Sequence, residues 1–160
     1  MRLKLLKVKN PYLHLSSDKD DIADFKTKAK AAICFIEAEH KILLLQNNQQ
    51  AKHHPLEWGV PGGKMEEGEE PIQTVLREIY EETGLVISES NLEFKLKLFV
   101  RVPNVDYELY VFKTILQNIV SNIILDQREH DDFSWHTIAE TLTLPLIYGN
   151  KELIAYLYKD

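Results

Sequence analysis

Cysteine is almost missing from this chain. Cys34 stands alone, which excludes an intramolecular disulfide and fits a reducing compartment. It lies in the apolar run AAICFI and reads as a small buried hydrophobe rather than a nucleophile. Long apolar runs are missing too. Lysines interrupt the leucines of MRLKLLKVKN, so neither a signal peptide nor a membrane-spanning helix is expected. Basic residues are outnumbered, 19 against 25 acidic, for a net charge of -6. That deficit argues against a nucleic-acid backbone as the main partner, because phosphate neutralisation needs a basic face. Glycine and proline are sparse at six each, and no repeat, linker or low-complexity tract divides the chain. With 44% hydrophobic residues, the expectation is one domain over residues 1–160, large enough for a real core and cytoplasmic.

What is abundant is glutamate, and in one place. GGKMEEGEEPIQTVLREIYEETGL, from Gly62 to Leu85, holds seven: Glu66, Glu67, Glu69, Glu70, Glu78, Glu81 and Glu82. Pro71 opens a helix here that runs to about Thr83, with Gly84 placed for its C-terminal cap and Glu69 and Glu70 at the positive end of its dipole. On a wheel of about 100° per residue, Ile72, Val75, Leu76 and Ile79 form one arc, a core-facing stripe with Thr83 at its edge. Glu78, Glu81 and Glu82 centre on a second arc, flanked by Arg77. Such a helix can bury one side on a sheet and show carboxylates to a cleft. Glutamates at i, i+3 and i+4 repel, and the helix has no lysine placed to compensate. A hard divalent cation would supply the balance; a solvated acidic face is the alternative.

Around this helix the pattern reads as α+β. Residues 2–8 suggest a strand or arm ended by Asn10-Pro11, and Ser17 or Asp18 a cap for a short helix reaching about Lys28. Ala31 to Ala38 and Lys41 to Gln46 read as a core β-hairpin, and Leu56 to Pro61 as a short strand. Leu92 to Val102 and Tyr107 to Leu116 read as an antiparallel pair joined at Pro103-Asn104. Asp132 to Trp135 is a short strand, and Ile138 to Leu142 and Lys151 to Tyr158 are helical.

The spacing Gly63, five residues, Glu69, seven residues, Arg77-Glu78-Ile79, one residue, Glu81-Glu82, one residue, Gly84-Leu85 resembles the Nudix box at all nine defined positions of a 23-residue frame. Trp58-Gly59-Val60-Pro61-Gly62 resembles the segment that leads into it. The resemblance implies the Nudix fold, an α/β/α sandwich with a central mixed β-sheet and a loop-helix-loop catalytic box. It implies a hydrolase dependent on Mg2+ or Mn2+ that cuts a diphosphate linkage in a nucleoside diphosphate joined to another group. Glu81 and Glu82 then become metal ligands, Glu78 a ligand or the base that activates water, and the carbonyl of Gly62 a further ligand. Arg77 would orient these carboxylates, and Glu69 would support the helix or complete the metal shell through water. Glu66, Glu67 and Glu70 would be solvated.

Beyond the box, relatives often carry another glutamate far along the chain. Glu129, in QREHDDFSW, is the candidate here for metal or base; its neighbour His130 reads as a surface residue. Lys64 and Arg101 are candidates for substrate contact, with Tyr107 beside Arg101 at the strand ends. His53 and His54 make a weak metal pair, and Trp58 and Trp135 read as core. The expected partner is a small nucleotide diphosphate derivative, with no membrane or specific nucleic acid; a homodimer is compatible. The competing reading is a non-catalytic nucleotide-sensing or RNA-binding module on the same fold, which the intact box argues against. An isoprenyl diphosphate isomerase lacks a suitably placed cysteine. Pro103 and Tyr107 lie too far from Leu85 to mark an ADP-ribose or diadenosine polyphosphate subgroup.

Overall fold

The computed structural model describes residues 6–9 and 12–159. The arm expected over residues 2–8 therefore lies mostly outside the described residues, as does its Asn10-Pro11 end. Nine strands are described: β1 (Val8–Lys9), β2 (His14–Ser16), β3 (Ala29–Ala38), β4 (Lys41–Asn47), β5 (Trp58–Gly59), β6 (Gly62–Lys64), β7 (Glu93–Val102), β8 (Val105–Leu116) and β9 (His130–Thr137). Three helices accompany them: α1 (Pro71–Thr83), α2 (Ile138–Thr141) and α3 (Asn150–Leu157). The strands follow the order β1-β2-β7-β8-β3-β4-β5, with β6 added to β3 and β9 to β4. The sheet is mixed, because β3 and β8 run parallel while the other strand pairs are antiparallel.

Two apolar layers cover the sheet. Phe35, Ile42, Leu44, Leu98 and Val111 pack with Leu153 and Ile154 of α3. Cys34, Ile36, Leu43 and Leu45 pack with Val75 and Ile79 of α1 on the other side. Successive residues of β3 and β4 thus point into opposite layers, which is why both strands read as unbroken apolar runs. Among the described residues, no helix is long and apolar enough to cross a membrane.

The expected hairpin is real only at its tip. Glu37 pairs with Ile42 and Ala38 with Lys41 across Glu39 and His40, both at positive φ (50° and 62°) as a tight right-twisting turn requires. Beyond that the strands part. β6 takes the vacated edge of β3, and β9 lies along β4. The expected helix after Asp18 is a single 3-10 turn, Lys19–Asp21, which Asp18 caps through the Asp20 N–H. It stops because Asp106 draws off the following backbone: its carboxylate accepts from the Lys26 N–H and its carbonyl from the Lys28 N–H. The expected strand over 56–61 shrinks to Trp58–Gly59, with Leu56 at φ 62° before it. β9 runs longer than expected, from His130 to Thr137. β7 and β8 form the expected antiparallel pair, turning at Pro103 and Asn104.

Candidate active site

Helix α1 has the expected ends: Pro71 in its first turn and Gly84 in the left-handed conformation (φ 76°) as C-cap. The Glu70 N–H donates to Gln73 Oε1 at 2.8 Å, which fixes the entry. Val75 and Ile79 are fully buried in the sheet-facing layer, as the wheel requires. Glu82 departs from the wheel reading. Rather than facing an open cleft with Glu78 and Glu81, it is buried beneath the loop, 4% exposed. The Gly62 N–H reaches it, donating to Glu82 Oε1 at 2.8 Å.

Arg77 organises the remaining carboxylates. Its Nε donates to Glu69 Oε2 at 2.8 Å and its Nη2 to Glu69 Oε1 at 3.0 Å, a bidentate pair. Its Nη1 donates to Glu78 Oε1 at 2.8 Å and to Glu81 Oε2 at 3.3 Å, and its Nη2 also reaches the Lys64 carbonyl at 3.1 Å. Glu69 further accepts from Thr74 Oγ1 at 2.9 Å and the Glu66 N–H at 2.7 Å. Arg77, the Glu66 N–H and Thr74 together hold the Glu69 carboxyl down to about 2. Both its oxygens are engaged by Arg77, Thr74 and the loop.

One guanidinium therefore hydrogen-bonds three carboxylates and has a fourth, Glu66, at 3.8 Å, and Glu82 and Glu129 add two more. Burial pushes the Glu78 carboxyl up against the pull of Arg77, with Glu81 and Glu129 repelling it. Burial pushes Glu82 up to about 9, aided by repulsion from Glu78, Glu129 and Glu81 and opposed by the Gly62 N–H. This excess of carboxylate oxygen over cation fits a hard divalent ion, for which Glu78, Glu81, Glu82, Glu129 and the Gly62 carbonyl are the available donors.

The loop before the helix is shaped around these acids. A Cβ on Gly63 would stand 2.5 Å from both Cδ and Oε1 of Glu78. A Cβ on Gly62 would stand 2.4 Å from the Ala32 carbonyl oxygen of β3. The two glycines differ in consequence. Gly62→Ala sets backbone against backbone and should destabilise the fold. Gly63→Ala pushes only on a movable carboxylate. It should melt near the wild-type temperature while losing on the order of a hundredfold in turnover, since misplacing a catalytic group by about 1 Å has that effect. Paired thermal melts and rate measurements check this; unchanged turnover in a folded Gly63→Ala would remove Glu78 from the chemistry.

Residues 62–67, Arg77, Glu78 and Glu129 line a cleft of about 630 Å³. Gly62, Gly63 and Lys64 also border a second cavity of about 410 Å³, walled by Leu13, Ala31, Ile33, Val60, Tyr107, Tyr148 and other residues. Burial pushes the Tyr107 hydroxyl up to about 12, with Tyr148 nearby. Lys64 sits at the junction of the two spaces. Arg101 does not join them: Asp106 holds it at 2.7 and 2.9 Å, and it donates to the Ala23 and Asp24 carbonyls beside another depression. His54 pairs with Glu57 and meets Tyr148 edge to face, Trp58 packs in the α3-side core, and Trp135 donates to the Val120 carbonyl. His130, read as a surface residue, is 7% exposed and stands beside Glu82. Tyr148 carried no signal in the sequence, because only the tertiary fold brings it to the cavity.

Residues 27–157 match the NUDIX domain. The chain belongs to the Nudix family. The uncharacterized Nudix hydrolase YvcI of Bacillus subtilis (strain 168) is 25% identical over 126 residues, covering 79% of this chain and 77% of that protein. A human diphosphoinositol polyphosphate phosphohydrolase, NUDT4B, is 38% identical over 94 residues, covering 53% of this chain and 49% of the relative. The match thus spans about half the length of that human relative. Among solved structures, the NUDIX domain of Shewanella oneidensis NrtR complexed with ADP ribose superposes with a TM-score of 0.72. It is 22% identical, with 89% of this chain and 92% of that one covered. A Caenorhabditis elegans Ap4A hydrolase binary complex superposes at 0.62, 21% identical over 82% and 99%. The Nudix box, Gly63 to Leu85, supplies most of the carboxylate cleft, with Gly62 and Glu129 added from outside it.

Proposed function

We propose that this Nudix protein is a divalent-metal-dependent hydrolase of nucleoside diphosphate derivatives. The observation that carries the reading is the junction at Gly62–Lys64, where a cleft overfilled with carboxylates meets a largely apolar cavity. A diphosphate over the cleft and a base in the cavity would use both halves. Glu78, Glu81, Glu82 and the Gly62 carbonyl would hold Mg2+ or Mn2+, which when bound would neutralise the diphosphate and acidify the attacking water. Arg77 fixes Glu78 and Glu81 in place. Glu78 or Glu129, two of the four carboxylates lining the cleft, would accept the water's proton. Lys64 meets the phosphates from the rim. Water adds at phosphorus, the bridging oxygen leaves, and a monophosphate and a second phosphorylated product result.

The curated relatives named for diphosphoinositol polyphosphates would handle a far more anionic group. In this chain Lys30 and Lys64 are the cations at the cavity, and the remaining wall is mainly aliphatic and tyrosyl. That supports a nucleotide over an inositol polyphosphate. The test is a panel of nucleoside triphosphates, nucleotide sugars, ADP-ribose, dinucleotide polyphosphates and diphosphoinositol polyphosphates, each with Mg2+ and Mn2+. The expected result is metal-dependent monophosphate release from a nucleotide, with 18O-labelled water marking the phosphorus attacked. Turnover of none of the panel with either metal would overturn the proposal.

A further inference from the structure

The buried imidazole beside Glu82 has no assigned task. His130 opens β9, directly after the turn that carries Glu129, and its side chain is about nine-tenths buried. The turn is held firmly. The His130 N–H donates to the Asp126 carbonyl at 2.9 Å, and Asn48 clamps the preceding residues, its N–H on the Glu129 carbonyl at 2.9 Å and its Nδ2 on the Arg128 carbonyl at 2.8 Å. The backbone that carries the ring is therefore fixed, yet Nδ1 makes no hydrogen bond. Nε2 faces Glu82 Oε2 at 3.5 Å, beyond hydrogen-bonding distance. Glu82 is oriented for the same space, because the Gly62 N–H takes its Oε1 and leaves Oε2 toward the histidine. Glu129 completes the group: one ligand atom from each of Glu82, Glu129 and His130 lies within 4.8 Å of the others. Ligands of one octahedral ion with bonds of about 2.1 Å stand roughly 3 to 4 Å apart, inside that limit, so the three groups are close enough to converge on one ion. A nine-tenths buried imidazole with Nδ1 unpartnered and Nε2 turned to a buried carboxylate is poorly explained by packing alone.

We infer that His130 Nε2 is a nitrogen ligand of the metal centre, joining Glu82 and Glu129, and that it biases the site away from Mg2+ toward a first-row transition ion such as Mn2+. This rests on the metal-dependent reading of the box and adds a specificity-determining donor to it. The chemistry follows from ligand type: Mg2+ takes carboxylate and water oxygens, whereas imidazole nitrogen favours the transition series.

The test loads the full-length protein with Mn2+ or Mg2+ without substrate. Titration calorimetry gives both affinities for wild type, His130→Ala, His130→Gln and Glu82→Gln. Pulsed EPR on the Mn2+ form looks for coupling to a directly bound nitrogen, with 15N-histidine labelling to identify it. The expected result is a nitrogen coupling in wild type that His130→Ala abolishes. The preference for Mn2+ over Mg2+ should fall by about tenfold in both His130 variants. Absence of nitrogen coupling in Mn2+-loaded wild type overturns the inference even if the variants do not fold. Equal loss of both metals, or no change, in folded His130 variants also overturns it. If Glu82→Gln still abolishes metal binding in those cases, the broader reading stands. If wild type binds neither metal, both fall together.

Discussion

Glu81→Gln should lower turnover by about a thousandfold, roughly 4 kcal/mol of transition-state stabilisation, while leaving the fold as it was. The reason is exposure. Glu81 is half exposed, and its one ion pair, with Arg77 Nη1 at 3.3 Å, is of the kind that contributes at most about 1 kcal/mol to stability. Arg77 keeps Glu69 and Glu78 when that contact weakens, so the helix should not respond. A glutamine of the same shape retains an oxygen but loses the charge a divalent ion needs. The measurements are steady-state rates with Mg2+ and Mn2+ beside a thermal melt. A variant that melts normally and turns over within tenfold of wild type would sink the proposed role.

Glu82→Gln should behave differently, since Glu82 is buried. In metal-free protein its carboxyl is raised to about 9, above the ordinary 4.5, so it is neutral where the unfolded chain's is ionised. The stability this contributes is fully present below pH 4.5 and drains away as pH rises toward 9. Glutamine has no proton to lose and keeps the acceptor for the Gly62 N–H. In chelator, the variant should therefore gain on wild type as pH climbs from 5 to 8, by an amount on the order of a few kcal/mol. Added divalent metal should reverse the order, because only wild type gains stability from binding it. Chemical denaturation at several pH values, with and without metal, reads both effects. Identical pH curves for the two proteins in chelator would refute the prediction.

These contrasts mark how far the sequence could be read. Helix α1 was legible to its end residues because Pro71 and Gly84 punctuate it and its apolar stripe is regular. The Nudix box was legible for the same reason, as spacing along a single helix and its loop. What a residue meets across the sheet was not. Glu82 sits at the seam between two arcs of the wheel, and the Gly62 N–H, twenty positions earlier, draws it inward. His130 looks like any loop histidine until β9 pairs with β4 and Asn48 pins the turn. The short helix after Asp18 failed because its backbone donors go to Asp106, on a strand eighty residues away. Arg101, near a strand end as expected, spends its guanidinium on that same aspartate.

The parallel union of β3 with β8 sets an order of assembly. Ala29 meets Tyr107 and Ala38 meets Leu116, with the entire box in the connection between them. Closing so long a loop is slow compared with forming a hairpin. β6 needs no such wait, since it docks on the opposite edge of β3 from nearby in the chain. During synthesis the acidic helix would thus stand ready on half a floor, while the Tyr107 side of the cavity, supplied by β8, and the turn bearing Glu129 and His130 were still to come. A nascent chain halted before residue 105 would carry every glutamate of the box, yet lack both the β8 side of the cavity and the turn that brings Glu129 to the cleft.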